Sequence, residues 1–150
     1  MDRLTRTMLA ILIVLMCASI GACQSLGDSI AESHVKANVP EEKDFDVFLK
    51  RDLTEYFKEE KKKSVVVEYE LLRKGATQSG TAFPKFYAWV TLKVDGSSVE
   101  EGPVRVAAIE KKRFGIYDYV SRVEIERDVA KLNQLFPAPV ADKIREKLGK

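Results

Sequence analysis

The sequence predicts an α+β domain, in which an N-terminal helix is followed by an antiparallel sheet of three or four strands and then by C-terminal helices. Three patterns predict this order. Apolar residues recur every three or four positions over residues 45–57, the period changes to two over residues 65–94, and helical spacing returns after residue 121. A chain of 150 residues is long enough for one such domain, which we place at residues 44–150.

The first helix is predicted over residues 44–63. Its apolar side chains fall on one stripe, which consists of Phe45, Phe48, Leu49, Leu53, Tyr56 and Phe57. Acidic residues open the segment and the three lysines at 61–63 close it, as the dipole of an α-helix favours. The acidic residues lack the glycine and the ligand spacing of a calcium-binding loop, so we assign them to the helix end.

Two strands are predicted next, over residues 65–72 and 85–94, and both are rich in residues that suit a pleated sheet. Side chains alternate between the two faces of a strand. The second strand therefore has one face of Phe86, Ala88, Val90, Leu92 and Val94 and an opposite face of Tyr87, Trp89, Thr91 and Lys93. Asp95-Gly96 favours a tight hairpin into a third strand.

The third strand is predicted to be interrupted at Glu101-Gly102-Pro103, by a bulge or an edge kink, and to resume over residues 104–110. Residues 114–120 are extended as well. No glycine, proline or asparagine separates the two segments, so residues 104–120 are compatible with two strands or with one long bent strand.

The C-terminal helices are predicted from a start motif and a break. Ser121-Arg122-Val123-Glu124 has the form of a capping box, and a helical stripe follows over residues 125–136. Pro137 and Pro139 end that helix and begin another, which Gly149 terminates.

The first residues have the three parts of an export signal: a basic start, an uncharged apolar stretch over residues 8–18, and small residues up to Ala22. The apolar stretch has 11 residues, fewer than the ~20 that span a bilayer as a helix. Ile20-Gly21-Ala22-Cys23 resembles the lipobox of bacterial lipoproteins. The alternative is an ordinary secretory signal that is cut after Ala22.

The lipobox resemblance implies that residues 1–22 are removed and that Cys23 receives a diacylglyceryl group on its thiol. The chain would then be anchored to a membrane by lipid, with residues 23–43 as a flexible, polar tether. By the sorting rule of enterobacterial lipoproteins, Gln24 in place of aspartate implies the outer membrane, on its periplasmic side. The other cysteine, Cys17, leaves with the signal, so the domain is expected to fold without a disulfide.

The composition of the domain argues against most familiar catalytic and binding classes. Residues 44–150 contain neither histidine nor cysteine, on which nucleophilic triads and zinc or copper sites draw. The sequence also lacks a glycine-rich phosphate loop, so we expect no metal or other cofactor. The 25 basic and 23 acidic residues nearly balance, so the domain has no electrostatic reason to bind nucleic acid.

A first candidate site is the pair Glu68 and Glu70, which project from the same face of one strand. Two carboxylates can serve as acid and base in glycoside cleavage. The interpretation that we favour is a solvated face, whose acids pair across the sheet with Lys93 or Arg105.

A second candidate site is the pair Tyr87 and Trp89, which share a face opposite the apolar stripe of their strand. An exposed aromatic pair can stack on sugars or anchor a partner protein. The alternative, which we favour, is that the terminal helices pack on this side of the sheet and bury the pair.

The order of elements over residues 44–126 resembles the cystatin-type roll and the related cone-shaped nuclear-transport-factor type, in which a curved sheet wraps a long N-terminal helix. The glycine and the Gln-Val-x-Gly loop of cystatin inhibitors are missing, and acidic dyads inside the cone are not evident, so the resemblance does not extend to those activities. We therefore expect a non-catalytic envelope protein that binds or scaffolds another protein. A small carboxylate-dependent hydrolase or a small-ligand pocket protein is the alternative.

Overall fold

A four-stranded antiparallel sheet forms the centre of the protein in a computed structural model, which describes residues 27–149. The strands lie in the order β1 (Val66–Leu71), β2 (Lys85–Val94), β3 (Ser97–Ile109) and β4 (Arg113–Tyr119). Residues 27–38 are helical (α1), and α2 (Glu42–Lys61) follows before the sheet. After the sheet come α3 (Arg122–Arg127), α4 (Ala130–Leu135) and α5 (Ala138–Leu148). The predicted α+β class is confirmed.

Helices cover both faces of the sheet, because both alternating sets of side chains on β2 are largely apolar. On one face Phe86, Ala88, Val90 and Leu92 pack with Leu49, Leu53 and Phe57 of α2, as the stripe of the first helix predicts. On the other face Tyr87 and Trp89 pack with residues of the C-terminal helices, which include Ile125, Leu132, Val140 and Ile144. The sheet is therefore the middle layer of three.

Residues 104–120 form two strands, and the turn between them uses residues that rarely turn a chain. Glu110 and Lys111 adopt left-handed conformations with φ of 51° and 59°. The N–H of Glu110 donates to Oδ1 of Asn38 over 3.1 Å, and the N–H of Lys111 donates to the Asn38 carbonyl over 2.8 Å. Asn38 thus stabilises a turn whose own residues include no glycine, proline or asparagine.

The N-terminal segment differs from the predicted tether, because residues 27–38 form α1, and α2 begins at Glu42 rather than at residue 44. Apolar periodicity does not reveal α1, since its stabilisation is polar. Glu32 and Lys36 form an i,i+4 ion pair at 3.0 Å, and Asn38 Nδ2 donates to the His34 carbonyl over 2.9 Å. The two hydrogen bonds that Asn38 accepts from the β3–β4 turn dock the end of α1 on the sheet.

The predicted interruption of the third strand at Glu101-Gly102-Pro103 is wrong, because β3 is continuous and still pairs with β2 at these residues. The register shifts lie elsewhere, between Leu92 and Lys93 and between Arg105 and Val106. The Pro103 carbonyl accepts the N–H of Val120 over 3.2 Å, on the side away from β2. The proline nitrogen lies on that same side, where β4 has ended, so its missing N–H costs the β2–β3 ladder nothing.

The C-terminal helices follow the prediction, except that the first is divided. The capping box of Ser121 and Glu124 is confirmed, and Gly149 ends α5 with φ of 72°. Asp128 leaves the helical conformation, with φ of −142° and ψ of 85°, and its Oδ1 accepts the N–H of Ala130 over 3.1 Å. This aspartate therefore separates α3 from α4, as a residue that competes with helical hydrogen bonds can.

Candidate functional site

The two glutamates of β1 lie on an exposed surface of this edge strand. The side chains of Glu68 and Glu70 are 57% and 67% exposed. Nζ of Lys93 lies 2.7 Å from Glu68 Oε1, and Nζ of Lys147 lies 2.6 Å from Glu70 Oε2. Each carboxylate thus has its own cation and faces solvent, which is the arrangement of a solvated face rather than of an enclosed acid–base pair.

Only one of these two cations comes from the sheet. Lys93 lies on β2, where the alternation of side chains predicts it. Lys147 lies on α5, which passes the edge of β1 and forms an open surface groove with Glu70 and Leu72. The ion pair of Glu70 depends on the position of α5. The alternation of side chains along the strands does not predict that position.

Tyr87 and Trp89 are buried beneath the C-terminal helices, with 3% and 6% of their surfaces exposed. The Tyr87 ring meets the Phe136 ring edge-on, with 6.2 Å between the centroids. Lys147 Nζ lies 5.7 Å from the centre of the Trp89 ring. The C-terminal helices therefore cover this pair, as the favoured alternative predicts. Neither ring is available as part of an exposed aromatic patch.

The indole of Trp89 belongs to a polar network between β3 and α3. Its Nε1 donates to Glu101 Oε2 over 3.2 Å, while Arg122 Nη1 donates to Glu101 Oε1 over 2.6 Å. The hydrogen bond from Arg122 lowers the pKa of Glu101 below its ordinary value, with a smaller contribution from Trp89. Trp89 thus connects the sheet to the helices that cover it, which is a structural role.

A polar cleft of about 340 Å³ lies beside Tyr87, where the chain passes from α4 to α5 over the ends of β2 and β3. Lys85 and Tyr87 are two residues apart on β2 and share a face, and Arg105 lies opposite Tyr87 on β3. Thr77 and Gln78, from the loop before β2, close one side of the cleft. The cleft is the candidate functional site that the fold assembles.

The polar groups of the cleft are only partly satisfied. Arg105 pairs with Asp118 through Nη2 and donates from Nη1 to the Leu135 carbonyl over 3.3 Å, while its buried Nε has no hydrogen-bond partner among residues 27–149. Gln78 Nε2 donates to the carbonyls of Gly80 and Ala82 over 2.8 and 2.7 Å. Its buried Oε1 has no donor within the described part of the chain.

Lys85 and the hydroxyl groups complete the site. Within the described range, no carboxylate lies within ion-pair distance of Lys85. The Tyr87 and Thr77 hydroxyls are 2.9 Å apart and hold the loop against β2. A buried polar group without a partner is costly, so a ligand that supplies the missing partners gains binding energy here.

The cleft is not predicted from the sequence, because its residues form no motif. Lys85 and Arg105 meet only through the pairing of β2 with β3, and the cleft also needs the loop at residues 77–79 and the α4–α5 connection. The predicted hairpin at Asp95-Gly96 is the only signal that brings these strands together. It does not fix which residue of β3 lies opposite Tyr87.

Four further observations concern metal binding, membrane spans, the predicted lipid anchor and similarity to known proteins. Among the described residues, 27–149, no group of three or more histidine, cysteine, aspartate or glutamate side chains is placed to hold a metal ion. In the same range, the helices are all too short or too polar to cross a membrane. Cys23 and the rest of the predicted lipobox lie outside the described residues. Comparison of the chain with protein-family models, with curated proteins and with solved structures finds no match.

Proposed function

We propose that the chain is a bacterial lipoprotein, anchored through Cys23 and located in the outer membrane facing the periplasm. The support is the sequence of the first residues: a basic start, a short apolar stretch, and Ile20-Gly21-Ala22-Cys23. Gln24 supports the outer membrane, because it stands where an aspartate retains enterobacterial lipoproteins at the inner membrane.

The domain behind this anchor is proposed to bind or scaffold another envelope protein without catalysing a reaction. The observation that carries this proposal is the arrangement of Glu68 and Glu70, each exposed and each paired with its own lysine. Catalytic carboxylates usually need an enclosed environment that separates their pKa values. Packed side chains also fill the space between the sheet and the helices on both of its faces, so a partner would be recognised at the outer surface of the domain.

A small-ligand pocket protein is the second candidate. The cleft beside Tyr87 favours it, because its concave surface is lined by two cations and by two residues, Arg105 and Gln78, that each have an unpartnered buried polar atom. The two candidates differ in the size of the partner and agree that the domain binds rather than reacts.

Cys23→Ser should abolish lipid attachment and leave an unlipidated precursor, because the hydroxyl of serine cannot replace the thiol as lipid acceptor. The measurement is incorporation of a fatty-acid analogue in growing cells, followed by fractionation of the two membranes. Cys17→Ser is the matched control, since this cysteine lies within the predicted signal and should leave labelling unchanged. Retention of label in Cys23→Ser would disprove the anchor, and labelled protein in the inner membrane would disprove the sorting assignment.

Cross-linking in intact cells tests the binding proposal. The wild-type chain should yield a discrete cross-linked species with one envelope protein, recovered reproducibly and identified by mass spectrometry. Cells that carry Cys23→Ser provide the control, because loss of the anchor should deplete the species if both proteins meet at the membrane. A chain that cross-links only in proportion to the abundance of its neighbours has no specific partner.

Replacement of both Glu68 and Glu70 by glutamine should change the free energy of unfolding by no more than about 1 kcal/mol, because exposed ion pairs contribute little. The double variant should also match the wild type against chromogenic glycoside substrates. Urea unfolding followed by the fluorescence of Trp89, the only tryptophan, measures the first quantity. A hydrolytic activity that the wild type has and the double variant lacks would establish the hydrolase alternative.

A further inference from the structure

We propose that the cleft beside Tyr87 binds a carboxylate that carries a neighbouring N–H group, as at the carboxy-terminal end of a peptide. The inference rests on the proposed binding function and deepens it, since it names the chemistry that the domain recognises. Four features of the cleft carry it: its charge, its unpartnered atoms, its size and the fixed position of the Arg105 guanidinium.

The charge of the cleft selects an anion. Lys85 pairs with Ala107 across the sheet, which places it diagonal to Arg105, roughly 7–8 Å away along the surface. Asp118 neutralises Arg105, whereas Lys85 has no ion-pair partner among residues 27–149. One uncompensated cation beside a fixed guanidinium attracts a single negative charge, and its half-buried position weakens the screening by water.

The unpartnered atoms select the shape of the ligand. Arg105 Nε is a donor without an acceptor, and Gln78 Oε1 is an acceptor without a donor. Because Gln78 Nε2 already donates to two carbonyls, the amide cannot rotate to exchange its nitrogen and oxygen. A simple anion supplies an acceptor alone. A terminal carboxylate with its own amide N–H supplies both an acceptor and a donor on adjacent atoms.

Both atoms lie below the surface, so the ligand reaches them through a small movement of the wall. Residues 77–79 form that wall, and Ser79 is exposed to solvent. The loop is fastened to β2 by the paired backbone bonds between Thr77 and Lys85, at 2.8 and 2.9 Å, which leave Gln78 on its free side. A displacement of residues 78–82 as one unit keeps both bonds from Gln78 Nε2, and it therefore opens the cleft without breaking the sheet.

The size of the cleft and the fixed position of Arg105 favour the end of a peptide as the ligand. A volume of about 340 Å³ is at the small end of the range for ligand pockets, ~300–1,000 Å³. Phe83, which is 40% exposed, borders the cleft and offers an apolar contact to the last side chain. Asp118 and the Leu135 carbonyl hold the Arg105 guanidinium in place before the ligand arrives, which reduces the entropy lost on binding.

The test is a calorimetric titration of the full chain, in detergent micelles, with N-acetyl-alanyl-alanine and with its carboxy-terminal amide. The acid should bind saturably and the amide about tenfold more weakly or worse, which is the loss of a charge-assisted contact. Lys85→Gln should weaken binding of the acid by a similar factor. Lys93→Gln is the matched control, because it removes a cation from the same strand and face, about 26 Å away at ~3.3 Å per residue.

The proposal would be overturned by equal binding of acid and amide, by equal effects of Lys85→Gln and Lys93→Gln, or by no binding of the acid at all. Sodium acetate and inorganic phosphate that bind as tightly as the peptide would also overturn it, since neither supplies the N–H. Gln78→Glu provides a second variant if Lys85→Gln unfolds, because a carboxylate in the wall should repel the acid. If the titration is negative but a specific cross-link forms in cells, the cleft is not the binding site, and the proposed function still stands.

Discussion

Gly102→Ala is expected to lower the free energy of unfolding by about 3 kcal/mol or more, the upper range for overpacking a filled site. A Cβ at this position would lie 2.1 Å from the carbonyl oxygen of Val120, and the next two nearest atoms also belong to the backbone of Val120 and Ser121. Backbone cannot rotate away as a side chain can. The substitution therefore has to separate β3 from the start of α3, where Val120 also donates to Pro103.

Gly115→Ala is the matched control for Gly102→Ala, since both glycines lie within strands. A Cβ at Gly115 would meet only side-chain atoms, at 3.2 Å from Ile109 Cδ1 and 3.8 Å from Tyr117 Cε2. The Ile109 side chain can shift by a few tenths of an ångström, and alanine lowers the conformational entropy of the unfolded chain, which offsets the cost. We therefore expect the free energy of unfolding to change by less than about 1 kcal/mol. Urea unfolding of both variants measures the difference. Equal costs would mean that the close approach at Gly102 is not rigid.

The layers of the fold could be predicted from the sequence because they depend on periodicity. The stripe from Phe45 to Phe57 predicts which side of α2 meets the sheet, and the alternation on β2 predicts two opposite apolar faces. The same alternation places Tyr87 and Trp89 on the face that the C-terminal helices cover. Each of these features is set by neighbouring residues, so local patterns are sufficient.

The register of β2 with β3 could not be predicted, and the candidate site depends on it. A hairpin at Asp95-Gly96 that continued without interruption would pair Tyr87 with Val104. The shift between Leu92 and Lys93 moves the pairing by one residue and brings Arg105 opposite Tyr87. A shift of one residue exchanges the faces of a strand, so this bulge decides whether Arg105 enters the cleft or the apolar core. No residue type in the sequence marks it.

The turn between β3 and β4 shows a second limit of local patterns. Glu110 and Lys111 are poor turn residues, and their left-handed conformations are held by Asn38, which lies more than seventy positions earlier in the chain. The same two bonds give α1 its contact with the sheet. These bonds stabilise both α1 and the turn, so neither can be predicted from its own residues alone.

Leu53→Ala is expected to lower the free energy of unfolding by ~2–5 kcal/mol, the range for a leucine removed from a filled core. Leu53 is 0% exposed and packs between α2 and the face of the sheet that carries Phe86 and Val90. The loss combines the apolar surface that alanine no longer buries with the cavity that the rigid sheet cannot close. Urea unfolding, followed by the fluorescence of the buried Trp89 on the opposite face, measures it.

Val47→Ala is the matched control for Leu53→Ala, because it shortens an apolar side chain on the same helix at a position that is 63% exposed. Alanine has the higher helix propensity, so this substitution should be neutral or stabilise by a few tenths of a kcal/mol. The contrast separates packing beneath the sheet from any general effect on α2. A cost below about half a kcal/mol for Leu53→Ala would mean that α2 is not seated on the sheet, since burial of that face carries the whole expected effect.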